Sequence, residues 1–280
     1  MRRRRCDRGA AAGGGPSQAW ASVRRVSFSA GAVAAEAERR LRAAGTPARA
    51  VAEKAYLKSS LEFAGVPVPA TRKIVRELLP RRGGSSHDQV VAVAVALWAR
   101  PVHECRMAAT MSLADHAGLL RAGDAVLVER LIRESRTWAL ADGLAEHVMG
   151  PLVTAHPELT AVLDRWASDE DFWIRRSALL ALLGPLRRGS GDFDRFGRYA
   201  DSMLDERGFF IRKAIGWVLR DTGRKRPGLI AAWLEPRAER ASGVTLREAV
   251  KPLPPQTAAR LLAAGRVRSG KPGSRAAPGP

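Results

Sequence analysis

The feature that most constrains this chain is a motif that occurs twice. Phe172-Trp-Ile-Arg-Arg-Ser177 and Phe209-Phe-Ile-Arg-Lys-Ala214 lie over one another 37 positions apart. Counting back 34 from Arg176 reaches Asp142, and a further 36 reaches Arg106, within Glu104-Cys-Arg-Met-Ala-Ala109. A period of 34 to 37 residues built from helices is the unit of a HEAT-type α-solenoid, in which each helix pair buries its apolar face only by stacking on its neighbours. At one repeat position the series reads Arg106, Asp142, Arg176, Lys213. Three are basic and one is an acid. Asp142 is the member out of character, so chemistry is sought there.

The local signals agree with helices throughout. Ala30 to Ala44 is a strong helix former closed by Gly45, and Thr46-Pro47 supplies an N-cap with Pro at N1. The second helix carries Tyr56 near its end. Gly65-Val-Pro-Val-Pro69 is a rigid connection to a helix over Ala70–Leu79, with Arg72, Lys73 and Arg76 on one side. Arg81 to Ser86 reads as a loop and His87 to Ala99 as a buried helix. Further helices are expected near 102–114, 123–134, 138–154, 158–168, 172–183, 193–205, 209–222, 228–237, 244–251 and 256–264. Pro157, Gly184-Pro185, Gly208 and Arg226-Pro227 punctuate them. No segment has a period-2 strand pattern. The expected fold is all-α, a right-handed α-solenoid of HEAT-like repeats with a basic concave groove. The expected organisation is a disordered Arg/Gly/Ala-rich tail over 1–28, the repeat domain over 29–265, and a disordered basic tail over 266–280.

Charge enters here. The net charge is +19, of which the two tails carry +6 and +4, leaving about +9 on the repeats. A basic solenoid face suits a polyanion, nucleic acid being the commonest. Charge alone does not decide this: 40 of the 47 basic residues are Arg, in a chain rich in Ala, Gly and Pro, as GC-rich coding sequence produces. Cys6 and Cys105 are far apart and belong to no CxxC, which excludes a disulfide framework or a zinc site. The five histidines, at 87, 103, 116, 147 and 156, have no ligand spacing and read as surface or cap residues. Val90 to Ala99 is half of a membrane span, and Met1-Arg-Arg-Arg-Arg5 is followed by no apolar stretch of a signal peptide. A cytoplasmic protein is expected, with no membrane association and no sign of an oligomer.

Trp138 and Asp142 are four apart on one helix and share a face. Trp217 stands four past Lys213 on the corresponding helix two repeats on. Second helices of a solenoid line its concave surface, so Trp138, Asp142, Arg176, Lys213 and Trp217 are expected to converge on one groove. Indole faces attract cations, a carboxylate stabilises developing positive charge, and guanidinium groups hold phosphates. The competing reading is core packing. Trp98, Trp166, Trp173 and Trp233 are read as core, and an Asp near a helix start can be a cap or a dipole partner. Spacing alone leaves the two readings level.

Tyr56-Leu-Lys-Ser59, Phe63-Ala-Gly65-Val-Pro-Val-Pro69, Trp138-xxx-Asp142, Trp173-Ile-Arg-Arg176 and Phe209-Phe-Ile-Arg-Lys-Ala-Ile-Gly-Trp-Val-Leu-Arg220 together resemble the DNA alkylation repair family of HEAT-like-repeat DNA glycosylases (AlkD type). The resemblance covers roughly Ala30 to Leu262, and the Phe209–Arg220 string is its most specific part. It implies excision of cationic alkylated purines, such as N3-methyladenine and N7-methylguanine, from double-stranded DNA without metal or nucleotide cofactor. It implies Asp142 as the catalytic carboxylate, Trp138 and Trp217 against the deoxyribose beside the lesion, and Arg176 on the phosphate backbone. Tyr56 falls near the modified pair, and Lys213 and Arg220 join the DNA-binding set. Protein bound to DNA in this way would be nucleoid-associated. One departure stands out. The family's Trp-Asp pair is absent from Thr137-Trp-Ala-Leu-Ala-Asp142, so the lesion-facing surface is expected to differ. The family also has branches that bind branched DNA without excising a base, an alternative that the set Trp138, Asp142, Arg176 and Trp217 argues against.

Overall fold

Helices begin where short polar side chains can take up free backbone N–H groups. Ser29 accepts from Ala32 N, Asp171 from Trp173 N, Asp192 from Arg195 N and Ser242 from Thr245 N. Ser86 and Gln89 form a reciprocal capping box. The computed structural model describes residues 28–80 and 84–267. The tails expected to be disordered therefore lie almost wholly outside the described residues, as does part of the 81–86 loop. In order the helices are α1 (Ala30–Ala44), α2 (Pro47–Leu57), α3 (Val68–Leu78), α4 (His87–Trp98), α5 (His103–Asp115) and α6 (Ala125–Ser135). Then come α7 (Trp138–Leu144), α8 (Gly150–Ala155), α9 (Thr160–Trp166), α10 (Phe172–Ala181) and α11 (Leu183–Arg187). The rest are α12 (Phe193–Ser202), α13 (Phe209–Gly223), α14 (Pro227–Leu234), α15 (Gly243–Ala249) and α16 (Pro255–Val267). Among the described residues there is no strand, only one bridge between Glu62 and Val102.

The helices form two kinds of partner. A first helix such as α4 is amphipathic: Val90, Val93, Ala94, Leu97 and Trp98 are buried, the spacing of a single apolar face. A second helix is enclosed on most sides. In α10 every residue from Trp173 to Ala181 except Arg175 is buried, and α13 buries Ile211, Ala214, Ile215, Gly216, Val218 and Leu219. The second helices α5, α7, α10, α13 and α15 pack one on the next, with α4, α6 and α9 behind α5, α7 and α10, and with α12 and α14 packed on α10 and α13, as a solenoid of helical repeats requires. Burying each Leu or Ile of this core contributes roughly 1.5 to 3 kcal/mol.

Ion pairs and hydrogen bonds repeat with the same period. Arg133 binds Asp169 and Trp98 donates to Glu134, 36 residues apart in each case; Trp166 donates to Glu129 across 37, Tyr199 to Asp164 across 35 and Arg237 to Asp201 across 36. These are links between equivalent places in neighbouring repeats. Two indoles expected in the core thus use their N–H to tie first helices together. Trp173 is buried as expected, whereas Trp233 is half-buried under the guanidinium of Arg237.

Two expectations are corrected. Residues 138–154 are not one helix: after α7, Ala145–Met149 form a π-helical turn, closed by Gly150 N donating to Ala145 O. Pro151 has no N–H to give His147 and would clash with its carbonyl in a regular helix, so the wider turn absorbs it. The Gly-Pro pair recurs 34 residues on as Gly184-Pro185, in the first turn of α11, and the next second helix is interrupted just ahead of it at Leu182. Gly150 also has no room for a side chain, since a Cβ there would lie 2.7 Å from Ala181 O. The second correction concerns the histidines. His116 is the C-cap of α5, but His103 is fully buried, stacked on Phe63 with ring centroids 4.5 Å apart.

Candidate functional site

Thr137 caps α7 by accepting from Ala139 N, which starts the helix at Trp138 and puts Asp142 one turn further in. Counted from the first residue of each second helix, the fifth position holds Met107, Asp142, Arg176, Lys213 and Arg247. Arg106 is fourth, beside Arg175 and Arg212, so the expected row shifts by one in α5 only. Arg106 turns away, donating to Glu134 O and lying over the Trp98 ring. Asp142 remains the one acid of the row.

Asp142 and Arg176 meet as a two-pronged pair. Arg176 Nε donates to Oδ1 at 2.7 Å and Nη2 to Oδ2 at 2.8 Å, the geometry of a carboxylate anion under a guanidinium fork. Nη1 of Arg176 donates to Phe210 O on α13, so one side chain joins α7, α10 and α13. Its side chain is 4% exposed and that of Asp142 14%. The arginine expected on phosphate is therefore enclosed, with all three of its nitrogens engaged. Burial pushes the Asp142 carboxyl above the usual carboxylate range; the hydrogen bonds and charge of Arg176 oppose this, and nearby Glu146 adds to it.

Trp138 is half-buried on the core and meets the Tyr56 ring edge-on, with centroids 6.2 Å apart. Tyr56 is 73% exposed, and its helix α2 has no buried residue. The base of that helix is fixed instead. Glu104 accepts from the N–H groups of Ala64, Gly65 and Val66, and Gly65 has φ +76°, with Thr46 O only 2.2 Å from where a Cβ would stand.

The other expected residues belong to a second, adjoining network. Trp217 Nε1 donates to Asp221 at 3.1 Å. Arg187 on α11 binds Asp221 at 2.9 Å and also Glu146, one turn past Asp142. Arg220 binds Asp221 and Glu248, while Lys213 binds Glu248 at 2.8 Å. Burial works against the Asp221 anion, but donors on Arg220, Arg187 and Trp217 outweigh it and hold the carboxyl below its usual range. Glu146, Arg187, Asp221 and Glu248 were not singled out from sequence. Their signal was present: Glu146 is four past Asp142, Asp221 four past Trp217, and Glu248 lies 35 past Lys213. Beside Glu146 and Arg187 a hollow of about 480 Å³ opens between the two Gly-Pro bends, lined also by His147, Pro151, Pro185 and Arg188. Among the described residues no cluster could hold a metal ion, and no helix is long and apolar enough to cross a membrane.

A family model described as DNA alkylation repair enzyme matches residues 37–253. Among solved structures, a predicted DNA alkylation repair enzyme from Enterococcus faecalis is similar at 22% identity and TM-score 0.66, covering 74% of this chain and 95% of that one. AlkD2 from Streptococcus mutans is similar at 15% identity and TM-score 0.53, covering 72% of this chain and 97% of its own. The protein smu.31 from Streptococcus mutans UA159 is similar at 14% identity and TM-score 0.54, covering 79% and 100%. At these identities the likeness concerns the fold. No curated protein matches in sequence.

Proposed function

The chain belongs to the DNA alkylation repair enzyme family, and from that premise we propose that it is a DNA glycosylase excising cationic alkylated purines, N3-alkyladenine and N7-alkylguanine, from duplex DNA. One observation carries the reading. The single acid in an otherwise basic or apolar row is an oriented carboxylate, held by Arg176 one helical turn from the half-buried indole of Trp138. A base alkylated at N3 or N7 is already cationic, so it leaves without a general acid. The C1′–N bond breaks with its electron pair going to the base, which departs neutral. Water then adds at C1′ and gives up a proton.

Between those events the sugar is oxocarbenium-like, as in glycoside hydrolysis. At about 4 Å and an effective dielectric near 20, Asp142 is worth roughly 4 kcal/mol to that cation, on the order of a thousandfold in rate. The faces of Trp138 and Trp217 add roughly 0.5 to 2 kcal/mol each. Tyr56, exposed beside Trp138, stands at the modified pair. Arg176 acts through Asp142: its donors fix the carboxylate and are not free for phosphate. Lys213 and Arg220 share Glu248 and present their remaining donors to the backbone. Neutral bases should be poor substrates.

The test is release of free base from duplex DNA methylated at purine N7 and N3, by the wild type and by Asp142→Asn. Release by the wild type, with a loss on the order of a thousandfold in a variant that still binds DNA, is the expected result. Binding should weaken steeply between low and moderate salt, because phosphate contacts release counterions. Salt-sensitive binding with no release by the wild type would instead favour a noncatalytic protein for branched or damaged DNA.

A further inference from the structure

Trp217 and Asp142 lie two repeats apart; Arg176 ties Asp142 to the start of α13 at Phe210, and a second side chain connects the segments further along. We infer that Arg187 is a positioning residue for the site: it clamps Glu146, one turn past Asp142, to Asp221, the acceptor that holds the Trp217 indole. This rests on the glycosylase reading above and goes beyond it, since Arg187 touches neither the reacting sugar nor the base.

The geometry of the chain explains why this arginine can do so. The helix is interrupted at Leu182, just ahead of Gly184-Pro185, and α11 then carries Arg187 at its end, within reach of both neighbours. Its Nε reaches Asp221 at 2.9 Å on α13 and its Nη1 reaches Glu146 in the π-helical turn. That turn exists because of Pro151, which sits at the equivalent bend one repeat earlier. Asp221 is 4% exposed and takes the indole N–H of Trp217 from within the same helix. The two bends therefore let one guanidinium span from the helix of the carboxylate to the helix of the second indole. A planar fork suits the task, whereas an ammonium is a point charge.

The clamp has two separable consequences. The first is electrostatic. The charged groups facing Asp142 are Arg176 from α10 and Glu146 from its own next turn; on α5, Arg106 turns away to Glu134 O, and Asp115 is engaged by Arg72 and Arg76. Arg187 reaches Asp142 only by neutralising Glu146. Without it an uncompensated anion stands one turn from the carboxylate that has to ionise. The second is steric. Without Arg187, Asp221 keeps Arg220 but loses a partner that fixes its orientation, and the Trp217 ring is freed.

Arg187 is a third exposed, so Arg187→Met should fold. Two readouts need no catalysis: the carboxyl-carbon titration of Asp142 in selectively labelled protein, and the indole N–H resonance of Trp217, assigned by its loss in Trp217→Phe. In Arg187→Met the Asp142 titration should move to higher pH, and the Trp217 resonance should shift and exchange faster. Adding Glu146→Gln should return the titration to the wild-type position while leaving Trp217 loose. Arg187→Lys should keep the titration and still free the indole. Single-turnover base release should fall about tenfold or more in Arg187→Met, with its acid limb displaced toward neutral. An unmoved titration and an unmoved indole resonance in Arg187→Met would overturn the inference. So would a titration that moves but is not rescued by Glu146→Gln. If the wild type releases no base, the glycosylase reading falls, while the two resonances still decide whether Arg187 is the clamp.

Discussion

Asp142 on α7 and Glu248 on α15 look alike by burial and differ by the company they keep. Both sit on second helices with side chains 14% and 11% exposed, and both are bound by a basic residue from the second helix next to them. Glu248 faces Lys213, Arg220 and Lys251, and that surplus of positive charge holds its carboxyl down to about 2. Asp142 has only Arg176, and burial together with Glu146 pushes it up. The charge of Glu248 is fully used in binding one repeat to the next. That of Asp142 is oriented but under-compensated, which is the condition of a carboxylate that has still to meet a cation. Charge balance separates the two where depth does not.

The substitutions that break the comparison most sharply exchange the two sites. Asp142→Asn should lower base release on the order of a thousandfold, at a stability cost of about 1 to 3 kcal/mol from leaving a buried donor of Arg176 unsatisfied. Glu248→Gln should do the reverse. It removes the common partner of three cations, so unfolding free energy in denaturant at pH 7 should fall by about 1 to 3 kcal/mol, with release per folded molecule changed less than about threefold. Comparable rate losses in both variants would erase the distinction.

Titration sharpens the contrast because the two carboxyls carry opposite signs. Glu248 is held below its unfolded value of 4.5, so its contribution is complete above that pH and is lost as pH falls from 4.5 toward about 2. Asp142 is raised above 3.8, so it binds its proton more tightly in the folded chain, and its ionisation weighs against folding as pH rises past that value. Denaturant unfolding followed from pH 5 to pH 2 should lose stability more steeply for the wild type than for Glu248→Gln. On the proposed mechanism base release needs the Asp142 anion, so its acid limb should stand above the ordinary aspartate value. Arg176→Lys, which removes the fork, should raise that limb further.

The same contrast marks how far the sequence could be read. Helix positions were legible because caps and breakers are local: Ser29, Ser86, Asp171 and Gly45 lie at or within a residue of the expected boundaries. The repeat was legible from the doubled Phe-aromatic-Ile-Arg motif, and with it the odd acid of the row. The π-helical turn was missed because Gly150-Pro151 falls inside a strong helical pattern, and only its recurrence at Gly184-Pro185 gives it away. The pairing of Asp142 with Arg176 was beyond a reading that placed both on one face and assigned the arginine to phosphate. Which of two nearby anions a guanidinium meets depends on the distance between adjacent helices, set by packing such as that of Gly150 on Ala181.

The smallest expected effect tests whether the site extends beyond its carboxylate. Trp138 is half-buried, packs on the core with one side and meets Tyr56 edge-on. Trp166, by contrast, is wholly buried with its N–H on Glu129. Trp138→Leu keeps much of the apolar contact and removes the π face. Release should fall about twofold to thirtyfold, the span of a cation–π contact worth roughly 0.5 to 2 kcal/mol, with unfolding free energy changed by less than about 1 kcal/mol. Trp166→Leu should instead cost about 3 kcal/mol or more and leave the rate of the folded fraction unchanged. A Trp138 variant that loses stability as Trp166→Leu does, and rate only in proportion to its unfolded fraction, would return Trp138 to the core and leave Asp142 as the sole contributor on α7.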